Sequence, residues 1–570
     1  MNGKTLVKEL LGELPLTAEI DWLLRYRGKK SNSRFNLDAL AEHLPEIMAQ
    51  VGPHAESAPS GRKIFFFASW HYWIMHTVLS GLTLRGLGHD VTLGYLPYSD
   101  YDRPISRFNL RRQDLYARHV LKGAHPLLKT VSFLDPSAGF RQAQPGGSGQ
   151  SLKAERSIPT ALSQAVERIT FYDTQYTLQR EEVSGSEPVY QLRRERNLAA
   201  ARKAFACFQK NRPDVVIVPN GMIQEYGAVY EAARCLGIPT VTYEFGEQDQ
   251  RVWLGQERLV MFHLTDELWA ARQKRKLNAE QRAWLESFLA ARQGITSGDK
   301  FAHLWQKASR AGGDKVRADL GLDRRPVVLL PTNVFGDSAT LGRTLFSQSI
   351  AEWVRRLVSF FANRPEVQLV IRIHPAESRS VGPSIVDTIH QAVASLPEHI
   401  RLIAPQEKVN TYDLMEIADL ALVYTTTAGL EMAVRGIPVL VSGDAHYHKK
   451  GFTLDADTWD EYFAVLEAAL ADLRGSPGSS TGRGSPGSSE VVPVSARGTG
   501  PGQRLTPEQV ARAWNYAYCF FAEYPRPFPW HLEKIWSSLE KRPLSYVLSP
   551  QGRAEYEATF QQMAGAAITW

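Results

Sequence analysis

From position 327 onward the chain alternates between short apolar runs and longer stretches whose apolar residues recur every three or four positions. Segments 327–330, 368–373, 400–403, 420–424 and 439–442 read as buried strands, and 348–361, 384–394, 411–417, 428–434 and 458–473 as the helices that follow them. Parallel neighbours need a crossover, and a helix supplies it, so this alternation predicts a Rossmann-like parallel sheet. The first half repeats the pattern with more interruptions. Segments 63–67 and 91–96 read as strands around a helix at 70–85, and 214–218 and 240–243 as strands around a helix at 223–236. Gly237-Ile238-Pro239 is the helix stop expected of such a unit.

These patterns predict an α/β protein with two doubly wound, Rossmann-like domains facing a cleft and helical additions. A helical segment covers 1–60. The first domain spans 61–264 and holds a polar, Arg-rich insertion at about 102–209, read as largely helical with a loop at 142–149. A charged helical connector follows at 265–317, and the second domain spans 318–474. Between 475 and 504 the run Gly475-Ser476-Pro477-Gly478-Ser479-Ser480 recurs as Gly484-Ser485-Pro486-Gly487-Ser488-Ser489, with no apolar face, so a flexible insertion is expected. A helical segment at 505–570 closes the chain.

Composition adds limits. At 570 residues the chain exceeds one hydrophobic core, and 44% hydrophobic residues suit a globular protein. Its 66 basic and 60 acidic residues leave a net charge of +6, too even to argue for nucleic acid, and no nucleic-acid partner is expected. Three separated cysteines contain no CxxC pair, which gives no support to a zinc site or a disulfide framework. The apolar stretch 64–75 is too short to span a bilayer. Lys8, Glu9 and Glu13 interrupt any signal-peptide core and leave an amphipathic helix. A soluble, cytoplasmic protein is expected, with peripheral contact at the inner face of the membrane.

In open α/β sheets, ligands gather beyond the carboxyl ends of the strands. In the second half those ends carry Thr332 and Asn333, then His374-Pro375, then Thr425-Thr426-Thr427 leading into Glu431, then 443–451 with Tyr447, Lys449 and Lys450. A Thr-rich loop before a helix suits phosphate oxygens. Glu431 suits ribose hydroxyls, His374 suits a phosphate, and Lys449 or Lys450 suits the departing charge. Each has a plain structural alternative: a Thr426 N-cap, a Glu431 paired with the helix dipole, a solvated lysine pair, a His-Pro turn. Their joint placement on one sheet edge favours a site.

The run Ile371-Arg372-Ile373-His374-Pro375, Asn410-Thr411-Tyr412-Asp413-Leu414, Ala418-Asp419 and Thr425-Thr426-Thr427-Ala428-Gly429-Leu430-Glu431 resembles bacterial capsule and surface-polysaccharide glycosyltransferases of the GT-B fold. Gly436-Ile437-Pro438-Val439 and Tyr447-His448-Lys449-Lys450-Gly451-Phe452-Thr453 extend the resemblance. It implies that the C-terminal half binds a nucleotide-sugar donor through Thr332, Asn333, Arg372, His374, Thr425, Thr426, Thr427, Glu431, Tyr447 and Lys450. It further implies an N-terminal half that binds a saccharide or glycoconjugate acceptor near Trp70 and Asn220. The catalytic base stays open among Glu244, Glu247 and His71, with His374 acting on the donor phosphate. Trp70, Tyr72 and Trp73 either stack on sugars or pack in the core. No cofactor and no metal are expected. The triplets Asp100-Tyr101-Asp102 and Asp455-Ala456-Asp457 read as turns or caps. The same residues leave open a glycerophosphotransferase, a nucleotide-sugar epimerase, or a non-catalytic GT-B-like scaffold.

Overall fold

The computed structural model describes residues 11, 12, 14, 16–25, 34–134, 158–296, 301, 308–393, 395–475 and 504–570. The segment expected to be flexible at 475–504 lies outside these residues except for its two ends, and so does the loop at 142–149. Two compact units divide the chain. One comprises Met1–Thr177, Val183–His263 and Arg526–Thr569, the other Leu178–Glu182, Leu264–Pro525 and Trp570.

The first unit holds a seven-stranded sheet built from β1 (Lys63–Ser69), β2 (Asp90–Leu96), β3 (Lys129–Ser132), β4 (Val215–Pro219), β5 (Thr240–Glu244), β6 (Arg251–Gln256) and β12 (Arg526–Pro527), in the order β12-β6-β5-β4-β1-β2-β3. β1 through β5 run parallel, while β6 is antiparallel to β5 and to β12. β1 lies inside the sheet, which explains the unbroken run Ile64-Phe65-Phe66-Phe67-Ala68, buried throughout. β3 corrects the reading of 102–209 as a largely helical insertion, because it is a strand of the domain's own sheet, paired with β2 at Leu93 and Thr130. As an edge strand β3 needs no apolar run, and Lys-Thr-Val-Ser shows no pattern to find. The helices Arg107–Leu121, Thr160–Leu178 and Pro188–Lys210 account for most of the rest.

The second unit holds β7 (Val327–Pro331), β8 (Gln368–Arg372), β9 (Ile400–Ile403), β10 (Leu420–Val423) and β11 (Val439–Val441), all parallel, in the order β11-β10-β7-β8-β9. Its first strand is central, the next two lie on one side and the last two on the other. The parallel strands of the first unit follow the same order, so both units are Rossmann-like and doubly wound. One face of the second sheet packs Leu330, Leu369, Ile371 and Leu422 against Trp353, Leu357 and Phe361 of helix Ile350–Ala362. Each such side chain contributes about 1.5–3 kcal/mol by leaving water. The Trp353 indole also donates to the Tyr462 hydroxyl at 3.0 Å, satisfying both buried groups.

The tail is not one helical segment. Helix Pro507–Tyr518 continues through a wide turn at Cys519–Glu523 in the second unit, and the chain then enters the first unit as β12. Pro525, Pro527 and Pro529 remove three backbone donors within five residues, which ends the helix and permits an edge strand. Among the described residues no helix is long and apolar enough to cross a membrane.

Candidate functional site

In the second unit the winding direction reverses between β7 and β10, so the crevice lies beyond their carboxyl ends. The two loops meet there. Asn333 donates its side-chain amide to Thr425 Oγ1 at 3.2 Å, and the Thr425 backbone N–H donates to Asn333 Oδ1 at 3.2 Å. From the neighbouring strand end, the His374 backbone N–H donates to Thr332 Oγ1 at 3.1 Å. Two directly hydrogen-bonded pairs, Asn333 with Thr425 and His374 with Thr332, therefore stand at this edge of the sheet.

The imidazole of His374 is oriented by its own loop. Its Nδ1 accepts from the Ala376 backbone N–H at 3.1 Å, capping the short turn Pro375–Arg379. A backbone N–H can only donate, so the neutral ring carries its proton on Nε2. Burial, reinforced by the charge of Arg372, lowers the His374 pKa to about 4, and the neutral donor tautomer prevails at neutral pH.

Thr426 and Thr427 are half-buried on the loop before helix Ala428–Val434. Thr426 Oγ1 accepts from the Ala428 N–H at 3.4 Å, a long version of the cap expected, while the Thr427 side chain makes no cap hydrogen bond. The Thr426 carbonyl accepts from the Tyr447 hydroxyl at 2.6 Å. Tyr447 is fully buried and lies so close to the helix that a Cβ on Gly429 would meet its hydroxyl oxygen at 2.3 Å. Gly429 is thus required for this approach.

Several residues expected at the donor site are committed elsewhere. Tyr447, with no exposed surface, braces the Thr426 loop instead of meeting a ligand. Arg372 is buried and donates to the Ala404 carbonyl at 2.7 Å and the Glu407 carbonyl at 3.4 Å, holding the loop after β9. Lys450 is ion-paired with Asp266, and Lys449 with Asp457 at 2.6 Å. Glu431 is buried in an ion pair with Arg292 of helix Ala279–Arg292 at 2.9 Å, so its carboxylate anchors that helix. The local pattern had suggested only a dipole partner or a ribose ligand for it. Arg343, which sequence reasoning missed, is buried beside this region and donates to the Asp444 carbonyl at 2.7 Å.

Glu377 follows His374 by three residues and supplies a pH-dependent element. One oxygen accepts from the Ile385 N–H at 2.9 Å, while Oε2 is buried with no hydrogen-bond partner. Burial pushes its pKa up to about 7, although the Ile385 hydrogen bond opposes this. A raised folded-state pKa means that stability is complete below about 4.5 and is lost as pH rises through about 7. Glu377→Gln keeps the acceptor and removes the charge. Its unfolding free energy relative to wild type is expected to rise between pH 5 and pH 8, by an amount on the order of 1–3 kcal/mol, with the melting temperature following. Parallel melting curves across that range would refute this reading of the carboxyl.

In the first unit the corresponding reversal lies between β1 and β4. The strand ends carry Trp70 at φ 66°, Asn220 at φ 54° and Gln224 at φ 51°, a left-handed conformation that costs a non-glycine residue about 1 kcal/mol or more. Asn220 is almost wholly buried. Its Oδ1 accepts from the Met222 N–H at 3.3 Å and its Nδ2 donates to Glu244 Oε2 at 2.9 Å. Asn220 therefore aims Glu244 instead of presenting itself to an acceptor. The second Glu244 oxygen accepts from the Phe245 N–H at 3.0 Å.

Of the other candidate bases, Glu247 is half-buried. His71 is buried against Tyr72 and Phe35, and burial lowers its pKa to about 4. Trp70 is half-buried, edge-on to Tyr72 at 5.5 Å and Tyr101 at 5.8 Å, and Tyr72 is exposed. Trp73 packs in the core against Tyr226 and Tyr243.

Beneath these strand ends lies a charged cluster that no local pattern announced. Arg193 and Asp173 are fully buried and paired at 2.6 Å, and Arg193 also pairs with buried Glu225 at 2.8 Å. Asp173 Oδ1 accepts from the Gln224 N–H at 2.7 Å, fixing the loop after β4. Both Asp-x-Asp triplets are engaged in ion pairs, Asp100 with Arg34 and Asp457 with Lys449. Among the described residues no group of three His, Cys, Asp or Glu side chains is placed to hold a metal ion.

Comparison with known proteins bears on the second unit first. The family described as "Capsule polysaccharide biosynthesis protein" matches residues 289–469, a span that includes β7 through β11 and the converging loops. No curated protein matches the chain. Among solved structures, the chain is similar to Thermosulfurimonas dismutans KpsC, beta Kdo 2,7 transferase, at 14% identity and a TM-score of 0.29, over 45% of this chain and 73% of that one. The beta Kdo 2,4 transferase of the same KpsC matches at 17% identity and a TM-score of 0.31, over 44% of this chain and 78% of that one. UDP-GlcNAc 2-epimerase from Neisseria meningitidis matches at 12% identity and a TM-score of 0.24, over 72% of this chain and 91% of that one. Over residues 289–469, the span that carries the motifs from Arg372 to Thr453, this chain matches the family model of capsule polysaccharide biosynthesis proteins.

Proposed function

We propose that the protein transfers a sugar from a nucleotide-activated donor to a saccharide or glycoconjugate acceptor during surface-polysaccharide synthesis. The observation that carries this reading is a neutral His374, its proton on Nε2 and its backbone N–H bonded to Thr332, at the same sheet edge as the hydrogen-bonded pair Asn333 and Thr425. That set of hydroxyl, amide and imidazole donors matches the oxygens of a diphosphate or phosphodiester. It occurs within the span matched by a capsule polysaccharide family.

In the proposed reaction an acceptor hydroxyl attacks the anomeric carbon of the donor. The carbon–oxygen bond to phosphate breaks, and its electron pair leaves on the phosphate oxygen. His374, with the Thr425–Thr427 loop, meets the growing phosphate charge, and the step as proposed needs no bound metal. The acceptor proton passes to a base, for which Glu244 is the favoured group because Asn220 and the Phe245 N–H hold its carboxylate in place. Trp70 and exposed Tyr72 offer ring faces for the acceptor sugar.

The test is to incubate the purified protein with a panel of nucleotide-sugars, with and without a surface-polysaccharide fragment. Nucleotide release in step with acceptor elongation, and only when the acceptor is added, is expected. Release without acceptor, or an epimerised sugar still joined to its nucleotide, would overturn transfer. Failure to bind any nucleotide would reduce the protein to a scaffold.

A further inference from the structure

We infer that Gln224 of the first unit is the specificity-determining residue of a subsite for a neutral sugar, with the rings of Trp70 and Tyr101 beside it. The inference rests on the reading of this unit as the acceptor side, and adds what that side recognises and through which side chain.

Among the described residues nine non-glycine residues have a positive φ, and Trp70, Asn220 and Gln224 are three of them, gathered beyond the carboxyl ends of β1 and β4. Such backbone persists only where the surroundings hold it, and it clusters at ligand sites. Gln224 is held twice. Its N–H donates to Asp173 Oδ1 at 2.7 Å, and its Oε1 accepts from the hydroxyl of Ser69, the last residue of β1, at 3.3 Å. The residue is only 4% exposed, yet no described residue accepts from its Nε2, and that nitrogen is not sealed from solvent. A nearly buried amide fixed at one end and open at the other is a preorganised donor.

The charged cluster that holds Gln224 also holds the aromatic side of the subsite. Arg193, paired with Asp173, donates to the Tyr101 carbonyl at 3.4 Å. The Tyr101 ring is edge-on to that of Trp70 at 5.8 Å, and both residues are half-buried. Accessible rings with a few fixed polar groups suit a sugar, because the rings take the C–H face of a pyranose and the polar groups read its hydroxyls. At the neighbouring strand end Asn220 holds the Glu244 carboxylate, so an anionic sugar would meet like charge. Nearby arginines do not offset it. Arg193 is shared between Asp173 and Glu225, Arg196 donates to the Asp100 and Arg103 carbonyls, and Arg103 pairs with Asp100 at 3.6 Å. A neutral sugar fits, with one of its oxygens accepting from Gln224 Nε2.

The experiment is saturation-transfer NMR on the whole protein with methyl glycosides of glucose, galactose, mannose and N-acetylglucosamine, and with anionic methyl glucuronide. Wild type is expected to bind at least one neutral glycoside, and to bind the glucuronide more weakly. Gln224→Met keeps the length but loses the amide, and should weaken binding of that glycoside about tenfold, the loss of one good hydrogen bond. Gln224→Asn suits a left-handed backbone and should keep the melting temperature, while its shorter amide leaves binding equally weak. UDP binding, read in the same way, should not change in either variant. Binding of no neutral glycoside, preference for the glucuronide, or wild-type binding by both variants would each overturn the inference. Gln224-dependent glycoside binding by a protein that transfers no sugar would remove the transfer reading alone. Transfer by a protein whose glycoside binding ignores Gln224 would remove only the subsite.

Discussion

His374→Ala is expected to lower turnover about a hundredfold, the usual consequence of removing one preorganised donor from a developing oxyanion. The argument begins with the loop. Because Nδ1 is held by the Ala376 N–H, the Nε2 proton has a set direction, and burial keeps the ring neutral down to about pH 4. A donor fixed before the reaction needs no reorganisation as charge grows on the leaving phosphate, so it stabilises the transition state more than the bound substrate. Donor affinity should therefore change less than turnover. The alanine also removes the cap on Ala376, which costs about 1 kcal/mol and lowers the melting temperature slightly.

His374→Asn separates the two effects. Asparagine can accept the Ala376 N–H, but it lacks the reach of Nε2. The cap and the melting temperature should return while turnover stays low. If His374→Asn regains wild-type turnover along with its stability, the imidazole is a structural cap and nothing more. The donor state of His374 also requires turnover to be insensitive to its titration above about pH 5, since its pKa lies near 4.

Arg193→Ala carries the largest expected effect on stability. Arg193 lies between Asp173 and Glu225, all three buried, and it also donates to the Tyr101 carbonyl at 3.4 Å. Burial raises the Asp173 pKa, and the Arg193 charge is the main influence holding it down. Removing the guanidinium leaves two carboxylates in a dry site, a loss of about 3–5 kcal/mol and a large part of a domain's net stability. The effect should reach the proposed acceptor side, because Asp173 also holds the Gln224 N–H where the loop after β4 enters the next helix.

Arg193→Lys should recover only part of the loss, since an ammonium cannot bridge two carboxylates as a planar fork does. Neutralising the whole cluster with Arg193→Met, Asp173→Asn and Glu225→Gln together should recover more than the single variants suggest, because the three positions are coupled. Urea denaturation of the series measures this. A midpoint for Arg193→Ala indistinguishable from wild type would show that water or relaxation compensates the buried charges.

The alternation from 327 to 473 specified the second sheet almost completely, and with it the loops that end β7, β8 and β10. The physical reason is local. Side-chain periodicity and the crossover requirement act within a few tens of residues, and a parallel sheet places every strand's carboxyl end on one edge. Thr332, Asn333, His374 and Thr425 stand at one edge because of that rule. Edge strands escaped it: β3 and β12 are short, polar or Pro-containing, and half-covered strands need no apolar signature.

Side-chain direction was decided only by the tertiary structure. Arg372 turns to a carbonyl 32 residues away, Glu431 to an arginine 139 residues away, and Lys450 to an aspartate 184 residues away. Asp173 and Arg193 find each other and Glu225 across three helices, although each reads in sequence as an ordinary surface charge. A charged side chain's partner depends on which distant elements bury it, because desolvation forces pairing whenever water is excluded. Sequence periodicity therefore placed the backbone at the candidate site, and packing chose which of its side chains were committed to distant partners.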